Sequence, residues 1–228
     1  MTLFKPSRGF TLVELLIAVT IAGVIFAAIG TGFVQVSRGA SALEASETSH
    51  GTLTDALEWM RRDLESLYIE QAPLFNPEGG LEEEDPYRFS LAEESAGGVG
   101  VARLRFTSRN HLAFGNDPKG GIAEVVYYVA EAEEGLVLRR SDRLFFDEAF
   151  SPNDEDPVAL KGLTRFDVLA FEGDEEPQDE WDSDDSGSEY KTPDSLSITL
   201  EVEKGGRRFS LSNRVILRSR RGDDDDES

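Results

Sequence analysis

"RGFTLVELLIAVTIAGVIFAAIGTGF", residues 8–33, is a long apolar run broken by one acid, Glu14, set five residues in from Gly9. Between Leu15 and Ser37 there is no charged residue. At 1.5 Å per residue a helix over that stretch is about 34 Å long, enough to cross a hydrocarbon core of about 30 Å. Lys5 and Arg8 precede it and the acid-rich bulk of the chain follows, so the short positive end is expected to stay cytoplasmic while the remainder is exported. An ordinary signal peptide leaving at Ala28-Ile29-Gly30, or a plain single-pass anchor, accounts for an apolar segment. Neither needs Glu14. A carboxylate in lipid costs about 2.5–3.5 kcal/mol on insertion scales, so it is expected where something compensates it.

The chain has 228 residues, 30% charged and 39% hydrophobic, which suffices for one core plus extensions. Its net charge of −22 repels nucleic acid and anionic lipid surfaces, arguing against either as a partner. Acids crowd into 81–86, 174–189 and 222–228, which read as solvated loops and an acidic disordered tail. There is no cysteine, so disulfides, thiol nucleophiles and thiolate metal sites are excluded.

Beyond the apolar run, Leu53, Ala56, Leu57, Met60, Leu64, Leu67 and Tyr68 follow helical spacing and predict one apolar stripe, with Asp55, Glu58, Arg61, Arg62 and Asp63 on other faces. Glu58 and Arg62 stand four apart with the acid first, the favourable order. Gly30, Gly32, Gly39 and Gly51 weaken the earlier part, and Pro73 and Pro77 are expected to end a helix running from Phe10 to Ile69, about 90 Å if unbroken. Residues 101–106, 122–131, 136–141, 163–172, 195–203 and 207–218 are short, often alternating segments bounded by Gly, Pro or acidic turns, and predict strands. Lys204-Gly205-Gly206 reads as a hairpin turn that sets Leu196, Ile198, Leu200 and Val202 on one face. The predicted fold is α+β, one long helix laid across a mainly antiparallel sheet, with 72–99 and 142–160 as loops.

In "RGFTLVE" a small residue, Gly9, precedes an aromatic, Phe10, and the acid Glu14 is fifth counting from that aromatic. This resembles the type IV pilin and type II secretion pseudopilin superfamily. The resemblance implies that a prepilin peptidase cuts after Gly9 and methylates the amine of Phe10, and that Glu14 pairs with the N-terminus of a neighbouring subunit during assembly. The succession "LEWMRRDLESL", "LRFTSRN", "VVYYV", "GLVLRRSD", "LTRFDVLAFEG" and "PDSLSITLEVEKGGRRFSLSN" is most similar to the minor pseudopilin J family of type II secretion.

That family implies a leader over 1–9, a transmembrane helix segment over 10–37, a periplasmic domain over 38–221 with helix to about 69, and the tail 222–228. It implies a structural, non-enzymatic subunit of the pseudopilus tip in the bacterial inner membrane, helping to initiate pseudopilus assembly and protein export across the outer membrane. Its partners would be pseudopilins I and K, with H and secretion substrates as further candidates, and prepilin peptidase, with no nucleic acid. A minor pilin of a type IV pilus is the other reading within the superfamily, and a signal-anchored periplasmic binding module the competing class.

Chemistry elsewhere is thin, and no catalytic residue, cofactor site or metal site is predicted. His50 and His111 read as surface histidines, with no pattern that supplies a nucleophile, base and orienting acid. "GGVG" at 97–100 lacks the Lys-Ser/Thr of a phosphate loop, follows no predicted strand and reads as a linker. Asp182, Asp184 and Ser186 before Gly187 imitate the opening of a calcium loop, but Pro193 stands where the bidentate Glu belongs, which favours a solvated loop. Trp181 is left with two roles, a partner contact or an anchor for its loop.

Overall fold

Leu53, Ala56, Leu57, Met60 and Leu64 recur at i, i+3, i+4 and i+7, and in the computed structural model each is at most 3% exposed, so the stripe folds as a helix, α1, described over residues 50–65. The structure describes residues 16, 20–21, 50–69, 85–111, 120–144, 150–219 and 221. The chain forms two units, 1–47 and 48–228. In the first, Leu16, Thr20 and Ile21 are helical, and Thr20 Oγ1 donates to the Leu16 carbonyl at 2.8 Å, one turn back. Gly9, Phe10, Glu14 and the rest of the predicted membrane segment lie outside the described residues, as does the tail 222–228. Among the described residues no helix is long and apolar enough to cross a membrane.

Two predictions about the helix are corrected. It ends at residue 65, not 69, because Leu67–Tyr68 turns into a strand, β1, that pairs with Ser108 and Thr107. The carbonyls that a helix end leaves without partners are taken up by the sheet rather than lost at a proline. Ser108 Oγ donates to the Asp63 carbonyl at 2.9 Å, Arg109 N to Ser66 O at 2.9 Å and Thr107 Oγ1 to Tyr68 O at 2.6 Å. Asp63, predicted on a solvent face, is fully buried within the stripe.

The strands are β2 (Ser90–Ala96), β3 (Val99–Ser108), β4 (Ala123–Ala132), β5 (Gly135–Arg143), β6 (Val158–Phe171), β7 (Trp181–Asp182), β8 (Ser195–Lys204) and β9 (Arg207–Ile216). They form one antiparallel sheet in the order β7-β2-β3-β4-β5-β6-β8-β9, with β1 added on β3. The sequence-based strands at 101 and beyond fall inside or across these elements. β2 does not, since 72–99 was expected as a loop. "SLAEESA" lacks the β-branched and aromatic residues that mark strands, and it is held by seven register pairs to β3. Gly97 and Gly98, with φ of +57° and +79°, form the turn joining β2 to β3, so this glycine pair follows a strand and is a hairpin turn, not a linker. The predicted loop 142–160 is likewise shortened at both ends, by β5 and by β6.

β6 is fourteen residues long and pairs with β5 through its first part and with β8 through its second. The register shifts beside Gly162, whose φ of +69° suits a bulge that glycine adopts without strain. One face of the sheet carries the core, in which the α1 stripe clusters with Val125, Tyr127, Leu138, Phe166, Val168, Leu196, Ile198 and Leu200. Each such side chain stabilises the fold by about 1.5–3 kcal/mol relative to exposure. The opposite face of β4 is also covered. Glu124, Val126 and Tyr128 are at most 2% exposed; Tyr128 donates to Asp156 Oδ2 at 2.9 Å and meets Phe150 edge-on at 5.1 Å.

Candidate functional site

Asp63 follows Met60 by three residues and Ala56 by seven, so helical geometry points it at the sheet. Arg140 lies on the face of β5 that carries Leu138, and alternation points it at the helix. The two meet in the core, each fully buried. Asp63 Oδ2 accepts from Arg140 Nε at 2.6 Å and from the Tyr127 hydroxyl at 2.6 Å, while Oδ1 accepts from Asn110 Nδ2 at 2.7 Å and Arg140 Nη2 at 3.2 Å. Arg140 also donates to Asn110 O at 3.1 Å and to Asp142 Oδ2 at 2.5 Å, and lies 5.7 Å from the centre of the Trp59 ring. Burial alone would disfavour the guanidinium charge, but the hydrogen bonds and field of Asp63 outweigh it and hold the Arg140 pKa above its ordinary value. Burial, then the Asp63 charge, pushes the Tyr127 hydroxyl well up.

His111 completes this cluster and corrects the surface reading. Its side chain is 3% exposed and its Nδ1 lies 2.6 Å from Asp142 Oδ1. Its Nε2 is buried without a hydrogen-bond partner among the described residues. His50 is exposed and rests edge-on against Phe209 at 5.8 Å. The cluster holds no poised nucleophile. Both Asp63 oxygens are saturated by Arg140, Tyr127 and Asn110, and Ser108 Oγ is committed to a helix carbonyl. Its chemistry is that of a clamp between α1 and the sheet. The helical period of residues 53–64 and the alternation of 136–142 together contained the signal for Asp63 and Arg140.

A second polar cluster ties down the acidic loop that follows β6. Trp181 is 4% exposed and its indole donates to Lys191 O at 2.9 Å, so of its two predicted roles it takes that of anchor. Ser183 exchanges two bonds with Phe89, Oγ accepting from N at 2.8 Å and N donating to O at 2.9 Å. Buried Arg221 donates to Asp85, to Ser183 O at 3.2 Å and, from its backbone, to Thr192 Oγ1 at 3.0 Å. The acids of the calcium-like stretch are engaged by backbone N–H groups. Asp182 Oδ1 accepts from Asp184 N, Asp184 Oδ2 from Asp85 N, and Asp185 Oδ1 from Gly187 N. Among the described residues no group of three or more ligands is placed to hold a metal ion. Burial pushes the Asp184 carboxyl up. A cleft of about 860 Å³ beside Val137, Leu160 and Val202 is rimmed by Glu133, Lys161 and Lys204, a mixed lining with no convergent reactive set.

Residues 4–30 match the prokaryotic N-terminal methylation motif, and residues 31–211 match the family described as type II secretion system (T2SS), protein J. No curated protein matches the chain. A methylation motif heading an α+β domain of one helix on an antiparallel sheet defines a pseudopilin of the type IV pilin superfamily. Within that class the chain belongs to the type II secretion protein J family and is a minor pseudopilin of a type II secretion system. The type IV pilus reading gives way to this match.

Proposed function

We propose that this minor pseudopilin is a structural subunit of the pseudopilus tip, without catalytic activity, that joins pseudopilins I and K, with H a further candidate, and helps to start assembly. In this reading residues 1–9 are a leader, 10–37 cross the inner membrane once, and 38–221 form the periplasmic domain, with 222–228 an acidic tail. Prepilin peptidase cuts after Gly9 and methylates Phe10. The observation that carries the reading is the order of Gly9, Phe10 and Glu14 at the head of an apolar run of spanning length, continuous with a chain of the protein J family. The saturated hydrogen bonding of the clamp supports a role in holding shape. A new amine at Phe10 gives Glu14 of an incoming subunit a partner in lipid, which offsets the cost of burying its charge and sets axial register.

Intact-mass and N-terminal peptide analysis of the chain taken from membranes tests this. A start at Phe10 with a methylated amine is expected; loss of Lys5 and Arg8 then takes the net charge from −22 to −24. A start at Thr31, or an uncleaved chain, overturns it.

A further inference from the structure

Among the described residues β9 is the last strand of the sheet and pairs only with β8, through ten successive residue pairs without a bulge. It holds no proline and no lysine. A regular ten-residue edge of this kind is what proteins ordinarily blunt, because its outward N–H and C=O groups are a template for another strand. The opposite end of the sheet is a two-residue strand, β7, under its own loop.

The closing turn identifies which groups face outward. Gly205 and Gly206 have φ of +60° and +72° and form a two-residue turn closed by Lys204 and Arg207. The closing pair of such a hairpin is the hydrogen-bonded kind, and pairs alternate along the ladder. The backbone groups of Arg207, Phe209, Leu211, Asn213 and Val215 therefore serve β8, and those of Arg208, Ser210, Ser212, Arg214 and Ile216 point to the free edge. The side chains of these five outward residues are all exposed, Ile216 at 70%.

Charge selects the occupant. The chain has 45 acids against 23 lysines and arginines, yet β9 carries Arg207, Arg208 and Arg214 and no acid. Arg208 is 73% exposed and forms only long ion pairs, at 3.8 Å with Glu203 and 3.9 Å with Glu201, while Arg214 donates to Ser195 Oγ at 3.0 Å and lies over the Phe171 ring. Two copies of β9 paired antiparallel about Leu211 would set Arg208 of one opposite Arg214 of the other, a like-charge pair that disfavours self-association. A hollow of about 770 Å³ lined by Arg214, Ile216 and Leu217, among others, continues the edge.

We infer that β9 is a docking edge for an extended acidic segment of another protein. The segment adds as an antiparallel strand, places carboxylates opposite Arg208 and Arg214, and seats an apolar side chain against Ile216. The inference is independent of the membrane reading and of cleavage at Gly9.

The test is fluorescence anisotropy on the full chain in detergent. The probe is a labelled ten-residue peptide of alternating Val and Thr with Asp at its third and ninth positions, which in antiparallel register face Arg214 and Arg208. Saturable binding is expected, weaker by about tenfold when both Asp are Lys. Arg208→Glu should reverse the preference at the ninth position. Ser212→Pro removes one outward N–H without touching the β8 ladder; it should weaken binding by about tenfold or more while leaving the melting temperature in place. No saturable binding, or binding indifferent to peptide charge and to Ser212→Pro, overturns the inference. So does a dimer of the chain that Ser212→Pro dissolves, which makes a second copy the occupant. Preference for phosphatidylglycerol vesicles over the peptide overturns it as well, as does a large gain in peptide affinity on deleting 222–228, which would make the chain's own tail the occupant.

Discussion

The carboxylate of Asp63 on α1 and the guanidinium of Arg140 on β5 meet at 2.6 Å with no solvent exposure on either side chain. Seventy-seven residues separate them in sequence. A buried ion pair adds little net stability over a well-packed apolar pair, whereas a buried charge that has lost its partner is costly. Asp63→Ala or Arg140→Ala is therefore expected to destabilise the chain by about 3–5 kcal/mol. Asp63→Leu combined with Arg140→Met should recover only part of that loss, because buried Asp142 loses Arg140 and Tyr127 and Asn110 lose Asp63 as partners. Chemical denaturation of the three variants measures it, and single-variant losses below about 1 kcal/mol would mean the pair does not fix helix to sheet.

Alkaline pH should loosen the fold through the adjacent tyrosines. Burial, reinforced by Asp156, pushes Tyr128 up to about 12, and burial with the Asp63 charge pushes Tyr127 up as well. An unfolded tyrosine ionises near 10. The folded state thus holds protons that the unfolded state releases, so this stability is complete below about pH 10 and is lost as pH rises towards 12. Unfolding midpoints followed across that range should fall. Tyr128→Phe should make the fall shallower, and a midpoint independent of pH there would contradict the burial of both hydroxyls.

Glu14→Leu separates processing from assembly. Cleavage at Gly9 should continue, because the peptidase reads mainly the leader and Gly9, while secretion and membrane cross-linking to other pseudopilins should drop. Gly9→Val should block processing itself, and Gly9→Ala, which keeps a small residue, serves as the control. Normal secretion by Glu14→Leu would remove the carboxylate from assembly.

Trp181→Ala should free the acidic loop before it affects anything else. The substitution empties a buried site at a cost of about 3–5 kcal/mol, and removes the indole bond to Lys191 O. Limited proteolysis with a glutamate-specific protease should then cut at Glu172, Glu175, Glu180 or Glu189 well before sites in the strands. Trp181→Phe, which keeps most of the packing, should lie between wild type and alanine. Equal cutting rates in all three would show that the indole is not the anchor.

Periodicity made the architecture legible wherever burial on one face was the whole story. The helical stripe from Leu53 to Leu64 and the alternation of Leu196, Ile198, Leu200 and Val202 each read directly into buried positions. Misreadings arose where a neighbour distant in sequence decides the conformation. β2 has poor strand propensity and exists through its pairing with β3; Leu67 and Tyr68 continue the helical spacing, yet Ser108 and Thr107 draw them into the sheet. Asp63 and His111 were placed off the apolar faces because they are polar, and Arg140 was not singled out, although helical and strand periods turn Asp63 and Arg140 inward and only the partners across the core make that tolerable. The N-terminal motif was the most specific signal, because Glu14 conflicts with everything around it.

The junction of α1 with β1 has a mechanical consequence. A load applied along α1 reaches the sheet by two routes in parallel, the Asp63–Arg140 contact and the short strand one residue beyond the helix end, paired to Ser108 and Thr107. The Ser108 and Arg109 bonds to the helix-end carbonyls, at 2.9 Å each, leave no slack between the two routes. Thrust or traction on α1 is thereby handed to the middle of the sheet rather than to a loop.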